Sequence, residues 1–268
     1  WNHWIENFDR PGNCYSRQSH VYTLDHQWNQ FNMSGVVSAV SSYKISAASS
    51  LAIANCWKAR ASSGSGVTVT VAPTSGNLLV VCVGEYGSTA DDSSISDDID
   101  GSTGWTKVVR VARTNYSCVV WYKKNIPSGI TAVTFTKSTS SSYYTAIVHE
   151  VSGASTSSPF TTGESSSNNG TSTTNPTSGS ATTATSNSIL FACVSNADPS
   201  ATSLYTANGT GSTPSSGWAY FNSNSYEVNA VSWEPIAVPS VIVSSTGTYA
   251  HGWTTNNYQF TAAIAAFH

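Results

Sequence analysis

The chain is poor in charge: only 9% of its 268 residues are Asp, Glu, Lys or Arg, and the formal net charge is -3. Ser, Thr, Asn and Gly fill most polar positions, so hydroxyl and amide groups must solvate a surface that Lys and Glu cover in most cytosolic proteins. No basic field is present to grip phosphates and no helical DNA-reading motif occurs, which argues against a nucleic-acid partner. No run approaches the roughly 18 apolar residues of a membrane-spanning helix. All 11 Lys and Arg lie at or before Lys137, leaving residues 138–268 weakly acidic through Glu150, Glu164, Asp198, Glu227 and Glu234. The five cysteines contain no CxxC pair, which argues against a zinc ribbon or a thioredoxin-like site. There is no GxSxG elbow, and His149-Glu150 lacks the second His of HExxH, so neither a serine hydrolase nor a zincin has its signature. Glycosidases need two carboxylates about 5 to 10 Å apart; Glu85, Glu150, Glu227 and Glu234 supply carboxylates but no pairing pattern. No enzymatic activity is expected.

What the sequence does contain is short β-branched or aromatic runs separated by Ser/Gly/Asn clusters, the pattern of an all-β sandwich. VTVTVAP, NLLVVCVGEY, WTKVVRVAR, YSCVVWYKK, TAVTFTK and YYTAIVHEV form one series of expected strands. SILFACVS, GWAYFNS, YEVNAVSWEP, VPSVIVSS and YQFTAAIAAF form a second. SAASSLAIANCW is expected to hold one helical turn.

The two series repeat one another. Asn77 and its apolar run return at Asn187, Gly104-Trp105 at Gly217-Trp218, CVVWYKK as NAVSWEP, and YTAIVHEV as FTAAIAAF. Half a chain of this kind leaves a sheet face uncovered, so the copies, at about 77–151 and 187–267, are expected to pack face to face. The expected fold is a two-sheet antiparallel, jelly-roll-like β-sandwich over residues 46–268, with the recurring run as the central buried strand of each half. Between the copies lies SGASTSSPFTTGESSSNNGTSTTNPTSGSATTATSN, which reads as a linker or O-glycosylated crossover, partly ordered by its Thr alternation.

Residues 1–45 differ. Trp1, Trp4, Phe8 and Trp28 stand among three His and two Arg with little periodicity, in a segment too aromatic for a disordered tail. An arm that packs on its own domain or on a neighbouring subunit is expected. Its His3, His20, His26, Asp9, Asp25 and Cys14 could ligate a transition metal, though no pair has tight chelating spacing. Cys82, Cys118 and Cys193 sit in apolar runs and read as buried thiols. In an oxidising compartment, Cys14 and Cys56 are the pair expected to bond. Export is expected from a numbering that begins at Trp1, and sequons at Asn32, Asn115, Asn169 and Asn208 are compatible with it.

The string GNLLVVCV, GWTKV, VVWYKKN, TAVTF, AIVHEVSG, a Thr-rich tract, NSILFACV and a closing YQFTAAIAAF resembles a poorly characterised β-sandwich module of secreted bacterial proteins and phage tail or virion proteins. The resemblance covers about residues 60–268 and omits the arm. It implies fold and extracellular setting only, because its motifs are structural. The acidic insert Asp91 to Asp100 departs from it.

Two clusters are candidate sites. Asp97, Asp98 and Asp100, before the turn residue Gly101, present hard oxygen ligands that could chelate calcium, although EF-hand spacing and its closing Glu are absent. Trp105, Trp218, Tyr220 and Trp253, near turns and loops, could form a platform on which sugar rings stack; packing in the core is the competing use. The expected function is a non-catalytic extracellular or virion-surface structural subunit that assembles through its arm. The alternative is a carbohydrate-binding surface module. Expected partners are accordingly further copies or neighbouring structural subunits, or a glycan.

Overall fold

The structure is a computed structural model that describes residues 50–87, 90–138, 143–196, 217–227, 235–254 and 258–268. The chain divides into two units, Trp1–Ile45 and Ser46–His268. Trp1, Trp4, Phe8 and Trp28 lie outside the described residues, as do Cys14 and the histidines of the arm.

The first half of the second unit runs β1 (Ala52–Ala61), β2 (Gly66–Thr70), β3 (Leu78–Tyr86) and β4 (Ser93–Asp97). It continues with β5 (Trp105–Arg113), β6 (Tyr116–Lys123), β7 (Ala132–Lys137) and β8 (Tyr143–Ser152). An inner sheet has the order β1-β8-β3-β6-β5 and an outer sheet the order β2-β7-β4, all antiparallel. Strands 1-8-3-6 facing 2-7-4 is jelly-roll connectivity.

The second half contains β9 (Ser165–Thr173), β10 (Thr177–Thr182), β11 (Ser188–Asn196) and β12 (Tyr226–Glu227). β13 (Ile236–Ala237), β14 (Ser240–Val243), β15 (Thr248–Gly252) and β16 (Tyr258–Phe267) complete it. Its inner sheet has the order β12-β13-β11-β16-β9, with β14 also on β11, and its outer sheet is β10-β15. β9, β10, β11, β15 and β16 therefore take the places of β1, β2, β3, β7 and β8, while β13 and β14 together replace β6. This correspondence of strand order extends upstream of the expected repeats, to β1 and β9.

Strand alternation explains the stacking. Along β3, Leu78, Val80 and Cys82 join a central core with Ile189, Phe191 and Cys193 of β11 and Ala263, Ala265 and Phe267 of β16. Leu79, Val81 and Val83 point the other way, onto Val67 and Val69 of β2 and Val133 and Phe135 of β7. In the second half Leu190, Ala192 and Val194 of β11 face an outer core with Ala181, Trp218 and Trp253. Four sheets thus stack outer, inner, inner, outer, and the two recurring runs are buried on both faces because each lies between two cores. The all-β antiparallel sandwich expected from the sequence is observed: the inner sheets of the two halves meet face to face, and each half carries an additional outer sheet. Continuous burial along β3 and β11 requires a cover on both sides, which two sheets cannot provide.

Local expectations also meet the structure. SAASSLAIANCW, expected to hold a helical turn, is strand from Ala52 onward, as the start of β1, which pairs with β8. The Ser/Thr tract, read as a partly ordered crossover, supplies two full strands, β9 and β10. The partner of β11 matching YSCVVWYKK is Ile236–Ala237 with Ser240–Val243, which flank Val238-Pro239; NAVSWEP falls mostly outside the described residues. Gly104 and Gly217 both have positive φ, 80° and 99°, and each precedes a tryptophan lodged at the outer core of its half. Positive φ is accessible to Gly at little cost, so this match reflects a shared turn.

The halves are latched at two edges. Lys58 of β1 donates to the carbonyls of Ser223 and Tyr226 at 3.0 and 2.9 Å and pairs with Glu227 at 2.9 Å. Arg113 of β5 donates to the Asn169 side chain of β9 at 3.3 Å. Both ends of the body meet the same crossover: Ala52 pairs with Ser152, and the His268 carbonyl accepts from the Ser155 N–H at 2.8 Å.

Candidate functional site

The acidic loop leaves β4 with its carboxylates already engaged. Asp97 Oδ1 accepts from the N–H groups of Ile99 and Asp100 at 3.0 and 2.8 Å, and Oδ2 from Trp105 Nε1 at 2.9 Å and Lys123 Nζ at 2.6 Å. Lys123 also binds Asp100 Oδ2 at 2.9 Å. Asp98 turns away and accepts from the Thr131 N–H and hydroxyl and from the Ala132 N–H. In this geometry the Lys123 ammonium sits between Asp97 and Asp100 and Asp98 closes a different loop, so the three carboxylates expected for calcium do not converge on one point.

Burial opposes ionisation of Asp97, but the Asp100 N–H, the Lys123 ammonium, the Trp105 indole and the Ile99 N–H outweigh it and hold the carboxyl below its usual range. The Thr131 hydroxyl and N–H hold Asp98 down to about 2. Replacing Lys123 by Met is expected to cost about 2–3 kcal/mol, because Asp97 keeps its neutral donors but loses its counter-charge. A urea melt of Lys123→Met beside the parent checks this.

The expected aromatic platform is not assembled. Trp105 is half-buried and spends its indole N–H on Asp97. Trp218 and Trp253 are 7% and 2% exposed in the second outer core, and Tyr220 is half-buried against Tyr226, ring centroids 5.2 Å apart. The faces of Trp218 and Trp253 are covered because His251 of β15 is wedged between them, with centroid distances of 4.8 and 4.6 Å. His251 is itself buried, and neither ring nitrogen has a hydrogen-bond partner among the described residues. Burial pushes its pKa down to about 4.

The buried carboxylates are used as braces. Glu85 and Lys137 form a fully buried ion pair at 2.7 Å. Glu150 accepts from Asn55 and Asn77 side chains at 2.7 and 2.6 Å and from the Thr74 N–H at 2.8 Å, tying β1 and the turn before β3 to β8. Glu164 receives the N–H groups of Thr161 and Ala184 at 2.7 and 2.6 Å. Glu150 pairs across from Leu79, six residues along β3 from Glu85; at about 3.3 Å per residue that is roughly 20 Å, too far for a glycosidase pair. His149 lies in the central core against Phe191, 4.9 Å between centroids, with Nε2 3.2 Å from Ser225 Oγ. It shares the face of Ile147 and Val151, as the alternation predicts, and burial holds its pKa near 3.

Sequence reasoning missed Lys123, Lys137 and His251. The signal for Lys137 was present in AVTFTK, whose alternation puts Lys137 on the face of Val133 and Phe135. His251 stands within TYAHG, too short and polar to read as a strand. Comparison of the chain with protein-family models, with curated proteins and with solved structures finds no match.

Proposed function

We propose that this protein is a non-catalytic structural subunit exposed outside a cell or on a virion, and that it assembles through its aromatic N-terminal segment. The observation that carries the reading is the internal use of its chemistry. Asp97, Glu85, Glu150 and Glu164 each brace one strand or turn against another, and the tryptophans of the expected platform pack inward. Such a body is a stiff block. Its outer sheets carry hydroxyl pairs, Thr68 with Thr134 and Thr182 with Thr248, at 3.0 and 2.9 Å. Hydroxyl faces solvate the block without charge, while the N-terminal sequence holds Trp1, Trp4, Phe8 and Trp28, the aromatic residue types that assembly contacts favour. The sequence resemblance to secreted and virion modules points to the same setting.

The test is light scattering of the full chain and of a chain lacking residues 1–35. Assembly of the former and a monomeric latter is the expected result. Two monomers would sink the reading and turn attention to glycan arrays.

A further inference from the structure

Four described cysteines, Cys56, Cys82, Cys118 and Cys193, are all buried as thiols in the central core. Two of them are not at ordinary thiol spacing. Cys118 on β6 and Cys193 on β11 face each other across the plane where the inner sheets meet, with sulfurs 2.7 Å apart. That is inside van der Waals contact for non-bonded sulfurs, and a small adjustment away from the ~2.05 Å of a disulfide. Sheet-to-sheet disulfides of this kind staple other β-sandwiches. We propose that Cys118 and Cys193 form a disulfide that joins the two halves of the molecule, with Cys82 as a neighbouring thiol outside the bond.

The chemistry balances with an external disulfide as oxidant. The thiolate of one cysteine attacks the oxidant RSSR, giving a protein–SR mixed disulfide and RS⁻. The second cysteine, as thiolate, then attacks the protein sulfur and expels the second RS⁻. Two thiols and RSSR become one protein disulfide and two RSH, with no other electron acceptor. Burial first, and then the thiols of Cys118 and Cys82, raise the Cys193 pKa well above its ordinary value, so the folded core supplies little thiolate. The bond therefore forms while the halves are still closing, and once formed it is shielded from reductant.

The loop it closes spans 75 residues of sequence separation. Long loops gain most from closure, and a rise in melting temperature of about 10 °C over the reduced protein is expected.

The full chain is refolded from denaturant in a glutathione redox buffer and, in parallel, in reductant. Each sample is then alkylated in denaturant and analysed by intact mass and peptide mapping. The expected result is at least two fewer alkylated thiols in the oxidised sample, a peptide pair linked through Cys118 and Cys193, and alkylated Cys82. Cys82→Ala keeps the link and Cys193→Ala abolishes it. Should a variant fail to fold, the parent's peptide map still decides. Full alkylation of Cys118 and Cys193 after oxidative refolding, or a link through Cys82, overturns the proposal.

Discussion

At pH 4 the body is expected to be roughly 6 kcal/mol less stable than at pH 7.5. The loss comes from two histidines buried without a counter-ion: His149 beside Ser225 and Phe191, and His251 between Trp218 and Trp253. Their folded pKa values, about 3 and about 4, lie below the ordinary value of 6.5. As pH falls below 6.5 the unfolded chain takes up protons that the folded chain refuses, so stability is full above that pH. It is lost towards pH 4 for His251 and on towards pH 3 for His149. Asp97 and Asp98, also held low, add loss of the same sign through the carboxylate range. A loss of this size rivals the whole stability of many domains, so acid should unfold the body outright. Urea melts at pH 7.5, 5.5 and 4 measure it. His251→Phe should remove roughly half of the dependence above pH 4, and equal midpoints of the parent at pH 7.5 and 4 would disprove the account.

Lys137→Met is expected to cost about 3–5 kcal/mol. Lys137 and Glu85 have no exposed side-chain surface, and removing the ammonium leaves a carboxylate buried beside Asp92, which sits 3.6 Å from the same nitrogen. Two like charges would then stand close together, the Glu85 one with no access to water. Adding Glu85→Leu should recover most of the loss, since an apolar pair of similar volume needs no desolvated charge. Equilibrium unfolding of parent, single and double variants closes the cycle. A single variant as stable as the parent would show that the pair contributes nothing.

The strands that pack on a core on one or both faces were legible. NLLVVCVGEY, YSCVVWYKK, TAVTFTK, YYTAIVHEV and YQFTAAIAAF carry their apolar residues in the right phase, and each is a strand. β9 was hidden because SSSNNGTST has no apolar side to reveal; β16 and the contact with Arg113 hold it in place. β4 was hidden inside an acidic cluster, where only Ile95 and the paired Asp97 point inward. Repetition disclosed the two halves but not their number of layers, because a run buried on both faces looks the same whatever covers it. The candidate sites were read from residue type alone. Type cannot show that Lys123 already neutralises Asp97, or that His251 already fills the space between two indoles.

The closeness of Ala52 and His268 to one crossover has a mechanical consequence. Ala52 enters beside Ser152, and His268 closes on Ser155, so a load applied through both ends crosses only the short crossover between them. The stacked sheets would hang from such a tether as a pendant, bearing no tension themselves. Raising the load would first peel β1 from β8 one pair at a time, starting at Ala52. Pulled at these two points, the block would follow its tether before its inner sheets were stretched.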